Sequence, residues 1–196
     1  MDFNLDSDHL TDPYHVQAML LAEVVKRTLE RRGGVELSSK PNPEEKPITE
    51  YMRRVRVSSV EKFDDVTYIA TVNYYLTQED MANHKAIGAL VLYMEEKAVV
   101  DILSRLNYPI SHDEEPEFIM DACGTFCNLI GGNFKSALTQ LNYNELYMSH
   151  FSTYKSTVPD GVEYHSKTTT RYEIPFEIDG KVSMYFDLIM GPISKS

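Results

Sequence analysis

The sequence has no tryptophan, only two cysteines among 196 residues, and no long apolar run. Its longest apolar stretch, Ala86–Met94, is far shorter than the roughly 20 residues that a membrane-spanning helix needs. The first twelve residues, MDFNLDSDHLTD, are acidic and lack the basic-then-apolar pattern of a secretion signal. We therefore expect a cytoplasmic protein.

Basic residues are also scarce, with 19 Lys and Arg against 30 Asp and Glu, a formal net charge of −11. A protein that binds nucleic acid needs a basic surface to replace the counterions of the phosphates. An anionic membrane surface selects for basic segments in the same way. The charge thus argues against both kinds of partner.

Several catalytic and metal-binding motifs are missing as well. The chain has no phosphate-binding glycine loop and no nucleophile elbow. Its six histidines are scattered, and no two of them have the spacing of metal ligands, so we predict no metal site. Cys123 and Cys127 lie four residues apart in one helical segment, which predicts small buried thiols and no disulfide.

The length suits a single domain. We expect residues 1–11 to be a disordered tail and residues 12–191 to form one domain. Apolar periodicity and turn residues predict elements in the order helix, strands, two helices, strands. That order indicates an α+β fold with helices packed on an antiparallel sheet.

The boundaries come from capping residues, breakers and turn residues. Asp12 and Pro13 start the first helix, and Gly33-Gly34 ends it. Asp179-Gly180 predicts a type I′ hairpin. Ser38–Pro47 is expected to be an exposed loop, and Gln78–Lys85 a polar hairpin loop. Helices are predicted at 13–32, 95–106 and 117–141, and strands at 35–37, 50–60, 66–76, 86–93, 146–154, 168–178 and 181–190.

The segment 117–141 has two different faces. At about 100° per residue, five small or polar residues fall in one narrow band, which we call the polar stripe. Its members are Asp121, Thr125, Asn128, Gly132 and Lys135. The opposite side predicts a core face of Ile119, Phe126, Ile130, Ala137 and Leu141.

The composition of the polar stripe is unusual for an exposed helix. Exposed faces favour Glu, Lys, Arg and Gln, whereas Asp, Thr, Asn and Gly form helices poorly. Gly131-Gly132 should cost about 2 kcal/mol relative to two alanines. Three readings are open: an ordinary solvent-facing surface, a helix that breaks at the glycine pair, or a face that a partner's backbone approaches closely.

This pattern resembles the signature helix of the CheX-type and CheC-type chemotaxis phosphatases. That signature has Asp or Ser, three residues, Glu, two residues and Asn, and an apolar pair, a small residue and Gly-Asn often follow. Asp121 and Asn128 match its first and last positions, and Leu129–Asn133 matches the continuation. Thr125 stands where the family has glutamate.

The neighbouring segments are similar to the family in the same order. They are an N-terminal helix ending near Gly34–Leu37, a strand at Ile87–Leu92, and a helix at Glu95–Leu106 before the signature helix. The resemblance covers about residues 14–190, with an apparent insertion around 38–66. One signature helix indicates the CheX type, because CheC proteins typically carry two.

The resemblance implies hydrolysis of the aspartyl-phosphate of a CheY-like response regulator in bacterial chemotaxis. Asn128 would orient the attacking water, and Thr125 would replace the glutamate that binds a lysine of the regulator. The protein would need no cofactor of its own, because magnesium belongs to the regulator. CheX relatives dimerise through their sheets, which implies a homodimer with strands 168–178 and 181–190 as a possible edge. Partner contacts would come from Asp121, Gly132, Asn133 and Lys135.

Three functions stay open at this point. Thr125 cannot form an ion pair, and Asp121 lies roughly 10 Å along the helix axis from Asn128, so the first is a weakened phosphatase. The second is an inactive binding module for a regulator or for a flagellar or chemotaxis assembly. The third is a relative in fold alone with an unrelated ligand. Burial of Thr125 and Asn128 in the core would exclude the first two.

A second acid-to-asparagine spacing, Asp80 to Asn83, lies in the predicted loop 78–85. Its neighbours do not match the signature, and we interpret it as a solvated turn.

Overall fold

The computed structural model describes residues 12–51, 54–56, 62–157 and 169–195. Four helices and nine strands are present within these ranges. The helices are α1 (Pro13–Gly33), α2 (Gln78–Ala82), α3 (Glu96–Arg105) and α4 (Pro116–Gln140). The strands are β1 (Glu44–Lys46), β2 (Thr49–Tyr51), β3 (Arg54–Arg56), β4 (Thr67–Tyr75), β5 (Gly88–Glu95), β6 (Tyr147–Met148), β7 (Ser152–Lys155), β8 (Thr170–Ile178) and β9 (Lys181–Met190).

Seven of these strands form one antiparallel sheet, in the order β1-β8-β9-β5-β4-β6, with β7 also paired to β4. β2 and β3 form a separate hairpin. The expected α+β class, with helices on an antiparallel sheet, is confirmed. The predicted type I′ turn is confirmed too, because Asp179 and Gly180 both have positive φ, at 51° and 79°.

One face of the sheet carries the main core. Alternate residues of β4, among them Tyr68, Val72 and Tyr74, join apolar residues of α1, α3 and α4 in a single buried cluster. The other face has a smaller cluster around Val91 and Tyr93. Both faces of β5 are therefore covered, which explains why this segment reads as the longest apolar run.

The segment 35–37 is not a strand, contrary to prediction. It completes the end of α1: Gly34 takes the left-handed conformation, its N–H bonds to the carbonyl of Glu30, and the N–H of Val35 bonds to that of Leu29. This is the Schellman arrangement, whose apolar residue after the glycine packs back on the helix. Val35 is buried for that reason.

Two loop predictions need correction. Within Ser38–Pro47, residues Glu44–Lys46 form β1 against β8, and Pro41 and Pro43 are buried. Within Gln78–Lys85, the chain forms the short helix α2, because the Thr77 hydroxyl accepts the N–H of Asp80 at 3.0 Å and caps it. Asn83 ends that helix and is exposed, so the Asp80–Asn83 spacing lies apart from the core-packed helices.

The predicted strand 146–154 is divided into β6 and β7. Between them, the N–H of Ser149 bonds to the carbonyl of Asn73 at 2.9 Å, while the Ser149 hydroxyl accepts the N–H of Asn73 at 2.9 Å. Phe151, the residue before β7, has its ring packed on α4 at Gly124. A Cβ at Gly124 would overlap that ring, so glycine is required where the two segments meet.

The strands expected to supply a dimer edge are already paired. β9 lies between β8 and β5, and β1 covers β8 from Arg171 to Glu173. The N–H of Ser38 bonds to the Glu177 carbonyl and extends this cover.

Of the predicted strand 50–60, only residues within β2 and β3 are described. The predicted tail, residues 1–11, lies outside the described residues. No helix in the described ranges is long and apolar enough to cross a membrane.

Candidate functional site

The helix α4 is unbroken from Pro116 to Gln140, so the glycine pair does not interrupt it. Pro116 occupies its first turn, a position where the missing N–H costs nothing. The predicted core face is buried at Ile119, Phe126, Ile130 and Ala137 and half-buried at Leu141.

Strand β4 supports the middle of α4. Tyr74 donates a hydrogen bond of 3.2 Å to the carbonyl of Gly131, and its ring meets that of Phe134 edge-on at 6.0 Å. The Cys127 thiol donates to the carbonyl of Ala70 at 3.5 Å. These buried contacts fix the rotation of the helix, so the polar stripe faces away from the sheet.

The structure brings the polar stripe together on the surface. Asp121 and Thr125 are exposed, and Asn128, Gly132 and Lys135 are partly exposed. Thr125 and Asn128 are one turn apart, a rise of about 4.5 Å along the axis. Neither side chain enters the core. The phosphatase and the binding module, which burial of these two residues would have excluded, therefore both remain compatible with the structure.

The two glycines of the pair have different surroundings. A Cβ at Gly131 would lie 2.9 Å from the Met148 sulfur and 3.1 Å from the Tyr74 oxygen, so any larger residue there would force neighbouring side chains to shift. A Cβ at Gly132 would meet nothing within 4 Å. The fold therefore explains Gly131, whereas Gly132 has no internal packing reason to lack a side chain.

Asn133 lies apart from the polar stripe. It is about 120° around the helix from Asp121, exposed, and faces α1. Its predicted role in partner binding stays a prediction, and it belongs to a different surface from Asn128.

Two residues beside the polar stripe were not predicted from the sequence. Phe118 is 62% exposed, and it precedes Thr125 by seven residues, or about two turns. Glu145 pairs with Lys135 at 3.4 Å and offsets its charge. The periodicity that defined the stripe could have found Phe118, but Glu145 follows the helix and meets Lys135 through the tertiary fold alone.

The two cysteines are not candidates for a nucleophile. Both are fully buried and unpaired, as predicted. Burial raises the pKa of the Cys123 thiol to about 12 and also raises that of Cys127 well above its usual value. Both side chains are therefore protonated thiols at neutral pH. No group of three or more His, Cys, Asp or Glu side chains in the described ranges is arranged to hold a metal ion.

The sequence and the fold were compared with those of known proteins. No protein-family model and no curated protein matches the sequence. A CheC-like superfamily protein from Shewanella sp. PV-4 superposes with a TM-score of 0.61 at 16% identity, over 90% of this chain and 97% of that one. FliY from Thermotoga maritima gives a TM-score of 0.58 at 16% identity, over 96% and 92% of the two chains.

A third structure is a complex, that of CheX with CheY, BeF3 and Mg²⁺ from Borrelia burgdorferi. It gives a TM-score of 0.52 at 12% identity, over 90% of this chain and 98% of the other. Identities this low establish a shared fold and not a shared activity. This chain has the fold of the CheX and CheC-like chemotaxis proteins.

Proposed function

We propose that this protein hydrolyses the aspartyl-phosphate of a CheY-like response regulator, as the resemblance to CheX implies. The rate of hydrolysis is lowered because Thr125 stands in place of the family's glutamate. The observation that carries the proposal is the presentation of Asn128 and Thr125 on one exposed face of an unbroken helix. The shared fold supports it, as does the CheX–CheY complex among the structures similar to this chain. On this proposal the protein acts in the cytoplasm.

Asn128 supplies the chemistry in this proposal. Its amide has a carbonyl that can accept a hydrogen bond from the attacking water and an NH₂ group that can donate one to a phosphoryl oxygen. The water oxygen forms a bond to phosphorus while the bond between phosphorus and the aspartyl oxygen breaks. Inorganic phosphate and a free aspartate carboxylate are the products, and the protons of the water remain with the phosphate and the solvent. Holding the water in line is catalysis by positioning.

Magnesium in this proposal is bound by the regulator, where it neutralises charge on the phosphoryl group. The protein then needs no cofactor of its own.

Thr125 weakens docking in this proposal. A glutamate at this position would bond to a lysine of the regulator, and charge-assisted bonds contribute about 1.5–3 kcal/mol. A threonine hydroxyl offers one uncharged hydrogen bond from a shorter side chain. Asp121 lies one turn before Thr125, about 6 Å along the axis, and is displaced from the position that the missing acid would occupy.

Two other parts of the surface suit docking. Gly132 leaves the helix backbone open to close approach. Phe118 offers an exposed aromatic ring at the start of the same face, and aromatic residues are enriched in protein interfaces. Asp121 and Lys135 complete the proposed contact surface.

The alternative function is a binding module that docks on a regulator, or in a flagellar or chemotaxis assembly, without hydrolysis. Thr125 is the observation that favours it, because loss of the glutamate removes the anchor of the family's site. FliY is among the structures with this fold.

We also propose that the protein forms a homodimer, which rests on the resemblance to CheX. Because β8 and β9 are covered, pairing through a free edge would involve β1 on one side or β6 and β7 on the other. Size-exclusion chromatography with light scattering tests it, and a monomer would argue against the CheX assignment.

The test is the lifetime of a phosphorylated CheY-like regulator from the same organism, with and without this protein. We expect the wild type to shorten the lifetime and Asn128→Ala to remove about 10²-fold or more of that effect, as loss of one positioned polar group does elsewhere. Thr125→Glu should increase the effect. Asn83→Ala is the matched control, because Asn83 is an exposed asparagine that ends α2.

Each outcome separates the two functions. A wild-type effect that Asn128→Ala abolishes identifies an enzyme in which threonine suffices. If the wild type leaves the lifetime unchanged but Thr125→Glu shortens it, the site has lost its catalytic activity and the protein is the binding module. No effect of any variant, with no binding of the regulator, contradicts both.

A further inference from the structure

A groove between α1 and α4 adjoins the polar stripe but is separate from it. It has a volume of about 280 Å³, and Asn133, Ser136 and Gln140 form its α4 wall. Ser136 lies one turn after Gly132, and its hydroxyl donates a hydrogen bond of 3.0 Å to the Gly132 carbonyl. A partner that covers the C-terminal half of the polar stripe would therefore also reach this groove.

The α1 wall is basic, in a chain whose net charge is −11. It carries Arg27, Arg31 and Arg32. Arg27 forms an ion pair with Glu23, the one acidic residue of the lining. Within the part of the chain that the structure describes, Arg31 and Arg32 have no ion pair.

The helix dipole explains the positions of only two of these three arginines. Cations in the last turn of a helix interact well with the helix dipole, which suits Arg31 and Arg32. Arg27 is more than a turn further back, and the facing wall of amide and hydroxyl groups is on another helix. The groove thus combines cationic and neutral hydrogen-bonding side chains on opposite sides.

The floor of the groove is largely apolar. It consists of Val24, Thr28 and Ala137, and the hydroxyl of Thr28 is turned to the Val24 carbonyl at 2.8 Å. Between Val24 and Arg31 the groove extends about 10 Å along α1. Its rim is exposed at Arg31, Arg32 and the polar residues of α4.

We propose that this groove binds an acidic peptide segment of the regulator that docks on the polar stripe, a proposal that rests on the function proposed above. Carboxylates of the segment pair with Arg31 and Arg32, whose forked guanidinium groups match carboxylate geometry. An apolar side chain between them lies on Val24 and Ala137. An open trough with exposed walls suits a peptide better than a small molecule, because small-molecule sites enclose most of their ligand.

A probe peptide tests the groove independently of any regulator. The probe is a fluorescein-labelled heptapeptide of Asp and Glu around a central Leu, titrated with the full chain and followed by fluorescence anisotropy. We expect binding that weakens about 10-fold or more in Arg31→Gln/Arg32→Gln, since charge-assisted bonds to two arginines are lost. Arg105→Gln is the matched control, because Arg105 lies in the last turn of α3, outside the groove. No binding by the wild type, or equal binding by the double variant, would overturn the proposal.

A competitor distinguishes a peptide site from a general anion site. Inorganic phosphate should displace the probe only weakly, because it makes no contact with the apolar floor. Displacement by phosphate as effective as that by unlabelled peptide would overturn the assignment to a peptide. A probe with Ser in place of the central Leu should bind more weakly than the original.

The regulator itself provides the second measurement, its dissociation constant for the wild type, Arg31→Gln/Arg32→Gln and Asn128→Ala. Weaker binding by the arginine variant, with Arg105→Gln unchanged, supports the groove. Unchanged binding overturns the groove proposal even when Asn128→Ala establishes the function. If the wild type neither binds nor dephosphorylates the regulator, the proposed function fails, and the regulator as source of the segment fails with it. The heptapeptide titration then decides whether the groove is an acidic-peptide site.

Discussion

The hydroxyl of Tyr74 donates a hydrogen bond of 3.2 Å to the carbonyl of Gly131, joining β4 to the middle of α4 beneath the candidate site. Tyr74 is completely buried, and its ring also packs on Phe134. The backbone at position 131 approaches the tyrosine closely because it bears no side chain. The adjacent Gly132 faces open space. Neighbouring glycines thus serve different purposes, and each can be tested by the same substitution.

Gly131→Ala should destabilise the protein. The added methyl would lie 2.9 Å from the Met148 sulfur and 3.1 Å from both the Tyr74 oxygen and Val72, and overpacking of this kind costs about 1–3 kcal/mol. The gain of about 1 kcal/mol in helix propensity offsets part of that cost. Urea unfolding measures the net change. Tyr74→Phe removes one of the contacting atoms, so alanine should cost less in that background; an equal cost in both would show that Tyr74 does not set the constraint.

Gly132→Ala should have the opposite effect on stability. The methyl meets no neighbour, and alanine in a helix is more stable than glycine by about 0.5–1 kcal/mol. If a partner approaches the backbone here, the same variant should bind the regulator less tightly than the wild type does. Denaturation and a regulator titration on one sample test both effects. A stabilised variant with unaltered regulator binding would mean that Gly132 has no docking role.

Lys62 should contribute strongly to stability because it is a buried charge within a network. Its ammonium group lies 2.7 Å from carboxylate oxygens of Glu173 and Asp187, and Asp187 also pairs with Arg171 at 2.9 Å. Lys62→Met should cost about 3 kcal/mol, the lower end for breaking a buried pair, since Arg171 still neutralises Asp187.

Chemical denaturation measures this loss, and Lys26→Met serves as the control. Lys26 forms an exposed pair with Glu30 at 3.9 Å, and exposed helical pairs contribute about 0.3–0.5 kcal/mol. Equal effects of the two substitutions would show that the Lys62 network does not hold this segment on the sheet.

Cys123 should make the protein less stable in alkali. Burial raises the pKa of its thiol from 9.0 to about 12 in the folded protein. At pH values between these two, the unfolded chain loses a proton that the folded chain retains, so stability falls as pH rises; below the lower value the thiol has no effect. From about pH 8 to about pH 10, wild type should lose about 1 to 2 kcal/mol more than Cys123→Ala.

Denaturation at several pH values measures this difference in slope, whatever the absolute stability of the variant. The buried tyrosines Tyr74 and Tyr93 also have raised pKa values, and they titrate in both proteins. Parallel pH profiles would show that Cys123 ionises as easily in the folded chain as in the unfolded one.

The sequence by itself determined the parts of this protein that depend on local pattern. Periodicity defined the two faces of α4, Asp12-Pro13 and Gly33-Gly34 defined the ends of α1, and Asp179-Gly180 defined a hairpin. These signals succeed because each one concerns residues within a few positions of one another. The polar stripe, including Asn128 and Thr125, could be predicted for the same reason.

Tertiary structure decided what depends on residues far apart in the chain. Val35 is a residue type that favours strands, but here it completes the C-terminal cap of α1. The segment 146–154 is broken because Ser149 bonds to Asn73 and Phe151 lies over Gly124. The difference between Gly131 and Gly132, the Lys135–Glu145 pair and the basic groove beside Asn133 arise where separate elements meet. The periodicity of a single segment cannot predict such contacts, because their packing energy depends on residues of both elements.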